Sequence, residues 1–249
     1  MNLLGIDIGR TSIKYGRVRL ENGIEVMDFD QIPISQTSRY AGYRDALIHL
    51  LRTVPGFRAV GVGFPCVIRQ NRVYSRDVDF DGIWSEVQAF LEPSGAPCFA
   101  LNDADAAGMA EITRPEAGDL RRGATIVLTL GTGIGSAIFL DGKLLPNTEL
   151  GRIELHGGLA EQYCAASVRT REGLSFEAWA GRLQEYLAEV DELFAPDHLV
   201  LGGGISADFE QYRAGLKTHA DLRPAHYCNQ AGVIGAAMFA AGRLQDGVG

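Results

Sequence analysis

Asn102 and Asp103 stand together between an apolar run, Pro97–Leu101, and the alanine-rich stretch Ala104–Ile112. A carboxylate placed there can orient an alcohol and accept its proton as a phosphoryl group arrives, so Asp103 is the candidate general base. The neighbouring carboxamide of Asn102 both donates and accepts, which suits sugar hydroxyls. The alternative is local, because an aspartate just ahead of a helix commonly caps it. Three glycine turns follow three apolar strands, at Gly9, at Gly131–Gly133 and at Gly202–Gly204. Glycine lets backbone N–H groups converge on phosphate oxygens, and the hydroxyls of Thr11 and Thr132 add donors. Any one of these turns taken alone is more often an ordinary hairpin. Asp7, at the end of the first strand, can hold a magnesium ion through water, since this ion uses few carboxylates and keeps its hydration. Otherwise it is a turn carboxylate bonding its own backbone. Lys14 lies on the strand after the turn and faces either the phosphates or solvent. A further polar cluster runs from Asn147 through Glu149, Arg152 and His156 to Glu161. Glu149 and Glu161 can accept hydrogen bonds from vicinal sugar hydroxyls, or the segment is a solvated loop.

These residues need elements to hold them. Leu4–Val18 and Ile126–Leu140 echo each other as apolar strand, glycine turn and second strand, with Asp7 over Thr129 and Gly9 over Gly131. The repeat predicts two structurally similar halves, although unrelated hairpins also share this pattern. Alternating residues continue after each turn, at Ser12–Val18 and Ser136–Leu140, so a strand follows the glycines. That excludes the dinucleotide-binding fingerprint and the Walker loop, both of which need a helix there. Strands are predicted over Ala59–Pro65, where the strand ends in a loop, over Pro97–Leu101 and over His198–Leu201. Helices are predicted over Tyr43–Leu51, over Ala104–Ile112, from a Ser175 cap through Phe194, and over Gly232–Gly242, with Ser206 starting a further one. The small residues of Gly232–Gly242 allow close approach to another backbone. The expected division is residues 1–101 with 232–249 as one domain and 102–231 as the other.

Composition limits the partners. The 249 residues are 46% hydrophobic and 22% charged, which supports a packed core and excludes general disorder. The formal charge is 23 − 31 = −8, against a nucleic-acid or membrane-surface partner. A local anion track of Arg10, Lys14, Arg121 and Arg122 is compatible with that total. The four cysteines, Cys66, Cys98, Cys164 and Cys228, form no CxxC or Cys/His pair and read as thiols in a reducing cytoplasm. No apolar run approaches the roughly 20 residues of a membrane helix, and no basic region precedes Asp7, so no signal peptide is expected.

Six segments, in this order, resemble the ROK family of sugar kinases, most closely its polyphosphate glucokinase branch. They are Gly5–Gly9 with Lys14, Gly63–Pro65, Asn102–Gly108, Leu128–Ser136, Asn147–Gly151 and Leu201–Ser206. The resemblance implies an α/β chain of two ribonuclease H-like domains in the actin-like ATPase (sugar kinase) fold, with an interdomain cleft closing over the sugar. It implies Asp103 as base, with Asn102, Pro65, Glu149, Arg152 and Glu161 around the sugar. It places Asp7, Gly9, Arg10, Thr11, Lys14, Gly131, Thr132, Gly133 and Gly203 on the donor phosphates, with Mg2+ at Asp7 through water. Many relatives carry a zinc cluster after the sugar-binding Glu and His; here that stretch holds only Cys164, so no zinc is expected. The leading expectation is a cytoplasmic homodimer that phosphorylates the C6 hydroxyl of glucose from polyphosphate or ATP.

Departures from the family pattern open alternatives. Arg10 stands where the family has a second glycine, either gripping an extended phosphate chain or obstructing ATP. Arg152 replaces a histidine and brings a permanent charge. It suggests another sugar, acidic or phosphorylated, or a sugar-binding homologue whose activity is weak or lost. Cys66 follows Pro65 where a small residue is usual, and Asp77 stands about where an asparagine is common. A repressor of the same family is not expected, since the first phosphate strand begins too early for an N-terminal helix-turn-helix.

Overall fold

The computed structural model describes residues 1–249 apart from 22, 35–38, 77, 248 and 249, so Asp77 lies outside the described residues. In chain order the elements begin with β1 (Asn2–Ile8), β2 (Ser12–Leu20), β3 (Ile24–Pro33), α1 (Arg39–Thr53), β4 (Val60–Phe64), β5 (Val67–Arg69), β6 (Arg72–Tyr74), α2 (Phe80–Leu91), β7 (Cys98–Asn102) and α3 (Asp103–Thr113). Next come β8 (Ala124–Leu130), β9 (Ile134–Leu140), β10 (Lys143–Leu145), β11 (Glu154–Leu155), β12 (Gly158–Leu159), α4 (Ala160–Cys164), α5 (Ala166–Glu172) and α6 (Phe176–Phe194). The chain closes with β13 (His198–Gly202), α7 (Phe209–Tyr212), β14 (Asp221–Pro224) and α8 (Ala231–Gln245). They form two compact units, residues 1–110 with 230–249 and residues 111–229.

The first unit holds a five-stranded sheet in the order β3-β2-β1-β4-β7, and the second repeats it as β10-β9-β8-β13-β14. In each, three antiparallel strands are followed by two that run parallel to the first. The echo in the sequence is the first hairpin of each sheet. Its equivalence stops at the turn: Ile8 pairs with Ile13 around Gly9, Arg10, Thr11 and Ser12, whereas Leu130 pairs with Ile134 around Gly131, Thr132 and Gly133. The first turn is therefore one residue longer.

The middle of β1, Leu3–Ile6, is apolar because both of its faces are covered, and Leu3, Leu4, Ile6 and Ile8 are fully buried. On one face α1 and α2 contribute Tyr43, Leu47, Leu50, Phe80, Ile83 and Trp84 to the core. On the other lies α8, and its small residues explain how close it comes. A Cβ on Gly61 of β4 would fall 1.8 Å from the Ala236 carbonyl oxygen. Ala106 of α3 packs with Leu101 and Ala236, which places residues 102–110 in the first unit and not with the second half as expected.

α2 and the β5–β6 hairpin are additional to the elements expected from the sequence. Asp79 caps α2, its side chain accepting the Gly82 N–H at 2.9 Å. At the hairpin turn Asn71 has φ 58. Its Oδ1 accepts the Ala100 N–H at 2.7 Å and its Nδ2 donates to the Cys98 carbonyl at 3.2 Å. The side-chain amide thus lies along edge strand β7 as a short piece of strand would.

In the second unit Ser175 caps α6 by accepting the Ala178 N–H at 3.1 Å, and Trp179, Leu183, Tyr186, Leu187 and Val190 face the core. The buried Glu111 carboxylate, at the end of α3, accepts the N–H groups of His226 and Tyr227 at 2.9 and 2.8 Å.

Candidate active site

In the first unit the carboxyl ends of the parallel strands β1, β4 and β7 lie side by side, with Asp7 opposite Gly63 and Phe64 opposite Asn102. Open α/β sheets bind ligands at this edge. Asp7, Gly9, Arg10, Thr11, Lys14, Pro65, Asn102 and Asp103 all collect there.

Asn102 caps α3. Its Oδ1 accepts the Ala104 and Asp105 N–H groups at 2.9 and 3.1 Å, and its Nδ2 donates to the Cys66 carbonyl at 3.2 Å. The cap suspected at Asp103 is therefore one residue earlier, and only one amide hydrogen of Asn102 is left for another acceptor. Asp103 occupies the first turn of α3, at the positive end of the helix, with its Oδ1 accepting the Ala104 N–H at 2.8 Å. Beside it, Pro65 lies in a tight turn closed by the Cys66 N–H on the Phe64 carbonyl at 2.8 Å.

Lys14 does not simply face solvent. Its Nζ lies 3.7 Å from Asp7 Oδ2, as their opposed positions on β1 and β2 require. Burial pushes the Asp7 carboxyl above the ordinary carboxylate range, opposed by the Lys14 charge. The carboxylate also rests against α8, since a Cβ on Gly232 would fall 2.6 Å from Asp7 Cγ.

The first glycine turn is held from beneath. The Gly9 N–H donates to the Ser12 carbonyl at 2.9 Å, and the Tyr43 hydroxyl of α1 donates to the carbonyls of Gly9 and Arg10 at 2.9 and 3.2 Å. Arg10 and Thr11 are exposed above it, and the Ile34 N–H takes the Thr11 carbonyl at 2.9 Å.

In the second unit the turn at Gly131–Gly133 closes through the Gly131 N–H on the Gly133 carbonyl at 3.0 Å. Ser167 of α5 donates its N–H to the Gly131 carbonyl at 3.0 Å and its hydroxyl to the Thr132 carbonyl at 2.7 Å. Gly203, with φ 83, follows parallel strand β13 at the same edge. Ser206 does not begin an α-helix; it sits within a 3-10 turn, Gly204–Asp208, and its hydroxyl donates to the Gly203 carbonyl at 2.7 Å. Glu161, on α4, accepts the Ile134 N–H at 3.4 Å, just after the Gly131–Gly133 turn.

Glu149 and Arg152 bound a short 3-10 turn, with the Arg152 N–H on the Glu149 carbonyl at 3.1 Å. Buried Ser136 anchors this segment to β9: its hydroxyl pairs with that of Thr148 at 3.0 Å and accepts the Leu150 N–H at 3.0 Å. The Arg152 guanidinium is exposed and makes no ion pair among the described residues. Nothing in the local sequence marks Ser136 or Ser167 as anchors, and Tyr43 reads there only as a helical residue.

Arg121 and Arg122, expected in an anion track with Arg10 and Lys14, lie at the opposite end of β8 from the Gly131 turn. They precede β8, whose seven residues at about 3.3 Å each set them roughly 20 Å from its far end. Arg121 instead donates to the Ile112 and Arg114 carbonyls at 3.3 and 3.4 Å.

Among the described residues no three His, Cys, Asp or Glu side chains gather into a metal-ligand set. A single carboxylate at the strand end, the half-buried Asp7, fits magnesium held chiefly by water and donor phosphates, as that ion prefers.

A profile of the ROK family matches residues 3–164. A polyphosphate glucokinase of Mycobacterium leprae (strain TN) is 35% identical over 237 residues, covering 94% of this chain and 73% of the relative. The crystal structure of an inorganic polyphosphate/ATP-glucomannokinase from Arthrobacter sp. strain KM is 38% identical and superimposes with a TM-score of 0.86, covering 98% and 99% of the two chains. A ROK family glucokinase from Streptomyces griseus, solved with glucose and AMPPNP, shares 22% identity at a TM-score of 0.79, covering 97% and 100%.

Proposed function

Because this chain belongs to the ROK family, with its actin-like ATPase fold, we propose that it is a polyphosphate- or ATP-dependent glucokinase that phosphorylates the C6 hydroxyl of glucose. The observation that carries this reading is the shared edge of the first unit: the Asp103 carboxylate, just past the end of β7, and the Asp7–Lys14 pair of the β1–β2 hairpin lie at one end of the same sheet, with β4 between β7 and β1. Asp103 receives the hydroxyl proton, and the α3 terminus keeps the carboxylate in place. Asn102 fixes the backbone around it and offers its remaining amide hydrogen to the sugar, beside Pro65. Glu149 and Glu161 accept sugar hydroxyls in the second unit, with Arg152 alongside. In the turns that begin at Gly9 and Gly131, the N–H groups of Arg10 and Thr11 and of Thr132 and Gly133 hold donor phosphates together with Lys14 and Gly203. Magnesium, when bound through water at Asp7, supplies neutralisation of the donor charge. The family resemblance extends the reading to a cytoplasmic homodimer; no helix among the described residues is long and apolar enough to cross a membrane.

A matrix of donors against sugars with purified protein and magnesium tests the reading, alongside Asp103→Asn. That variant should lower kcat by about 10² to 10⁴. Wild-type turnover in the variant removes the base, and absence of turnover with every donor and sugar removes the kinase. The exposed Arg152, without an ion pair among the described residues, favours a second reading, an acceptor carrying an anionic substituent, which the same matrix detects as a higher kcat/KM than for glucose.

A further inference from the structure

The two glycine turns sit at echoing positions of two separate sheets, and in both the protein grips the same pair of carbonyl groups. Gly9 and Arg10 give theirs to the Tyr43 hydroxyl; Gly131 and Thr132 give theirs to the Ser167 N–H and hydroxyl. Each grip comes from a helix lying behind its turn, α1 in one unit and α5 in the other. In a planar trans peptide the C=O and the following N–H point in opposite directions. Holding the Gly9 and Arg10 carbonyls inward therefore turns the Arg10 and Thr11 N–H groups outward, on the side where both residues are exposed. The Ser167 contacts do the same for the N–H groups of Thr132 and Gly133. Consecutive outward N–H groups form an anion-binding concavity. The same geometry also keeps two carbonyl oxygens, which would repel phosphate, away from it.

We infer that Tyr43 and Ser167 are positioning residues of the phosphoryl-donor site, each fixing a pair of backbone N–H groups toward the donor phosphates by holding the carbonyls behind them. The inference rests on reading these turns as the donor site. Tyr43 is 3% exposed and its ring packs edge-on against Phe80 at 5.1 Å, so Tyr43→Phe removes the hydroxyl and leaves the packing. Ser167→Ala removes one of that residue's two contacts and leaves its backbone N–H.

The test is steady-state kinetics of Tyr43→Phe, Ser167→Ala and Asp7→Asn, varying donor and glucose separately, with Tm measured on each. Loss of a neutral hydrogen bond should raise the donor KM about 3- to 10-fold in Tyr43→Phe, and by less in Ser167→Ala, with the glucose KM within about twofold of wild type. Asp7→Asn reports on the donor reading itself. If it weakens the donor while neither other variant does, the positioning role is overturned and the donor site stands. If none of the three changes a donor parameter, the donor reading fails and takes the inference with it. A parallel rise in donor and glucose KM with a lowered Tm marks general loosening and also overturns it.

Discussion

Glu111 is 0% exposed, and both of its carboxylate oxygens receive backbone N–H groups, from His226 at 2.9 Å and Tyr227 at 2.8 Å. Arg114 Nε lies 3.7 Å from the same group. Hydrogen bonds to a charged partner contribute about 1.5–3 kcal/mol each, and a buried donor left without its acceptor costs about 1–3 kcal/mol. Glu111→Ala removes both acceptors and leaves the Arg114 charge without its nearest anion, so a loss of about 3–5 kcal/mol is expected. Glu111→Gln keeps the shape and one oxygen but turns an NH2 toward the second N–H, for a loss of about 2–3 kcal/mol. The chain has two tryptophans, Trp84 in the first unit and Trp179 in the second, both buried. Urea unfolding followed by fluorescence in a Trp84→Phe background therefore reports on the unit that contains Glu111. A loss below about 1 kcal/mol for Glu111→Ala, or a Gln variant less stable than the Ala variant, would refute the two-bond account.

Three further outcomes are expected. Because burial raises the folded-state pKa of Asp7, its ionisation works against the fold: the wild type should match Asp7→Asn in stability below the ordinary carboxylate pKa and fall behind it as pH rises through the raised value. Urea midpoints of the two proteins from acid to neutral pH check this. Ala195 ends α6 in the left-handed region at φ 42, so Ala195→Gly should stabilise by about 0.5–1 kcal/mol, read from the same unfolding curves. Burial pushes the thiols of Cys98 and Cys164 up to about 11 and about 12; a thiol reagent at neutral pH should label Cys228 first in the native protein and reach Cys164 only after denaturation.

The elements that bury one clear face or fill a sheet were legible in the sequence. β1, β8 and β13 announce themselves as apolar runs, and Ser175 marks the start of α6 as it should. The paired sheets were legible through the echoing hairpins, because the same strand, turn and strand must solve the same packing problem twice. α2 was missed although its buried residues keep helical spacing, and the β5–β6 hairpin was missed because three-residue strands carry too little periodicity. At the Asn102–Asp103 pair, propensity favours either residue as a helix cap, and only the geometry shows that Asn102 takes that place. The anchoring roles of Tyr43, Ser136 and Ser167 depend on partners 33, 12 and 35 residues away, and no local pattern encodes such contacts. Charge alone does not say which end of β8 Arg121 and Arg122 occupy.

Asn71 bears on a different property, colloidal behaviour. β7 is the last strand of its sheet, and such an edge offers free backbone groups on which another chain can add a strand. By taking the Ala100 N–H and the Cys98 carbonyl with one side-chain amide, Asn71 interrupts that template at its centre. The edge that leads to Asn102 is thereby kept from seeding intermolecular β-pairing, a protection paid for with two consecutive left-handed residues, Gln70 and Asn71.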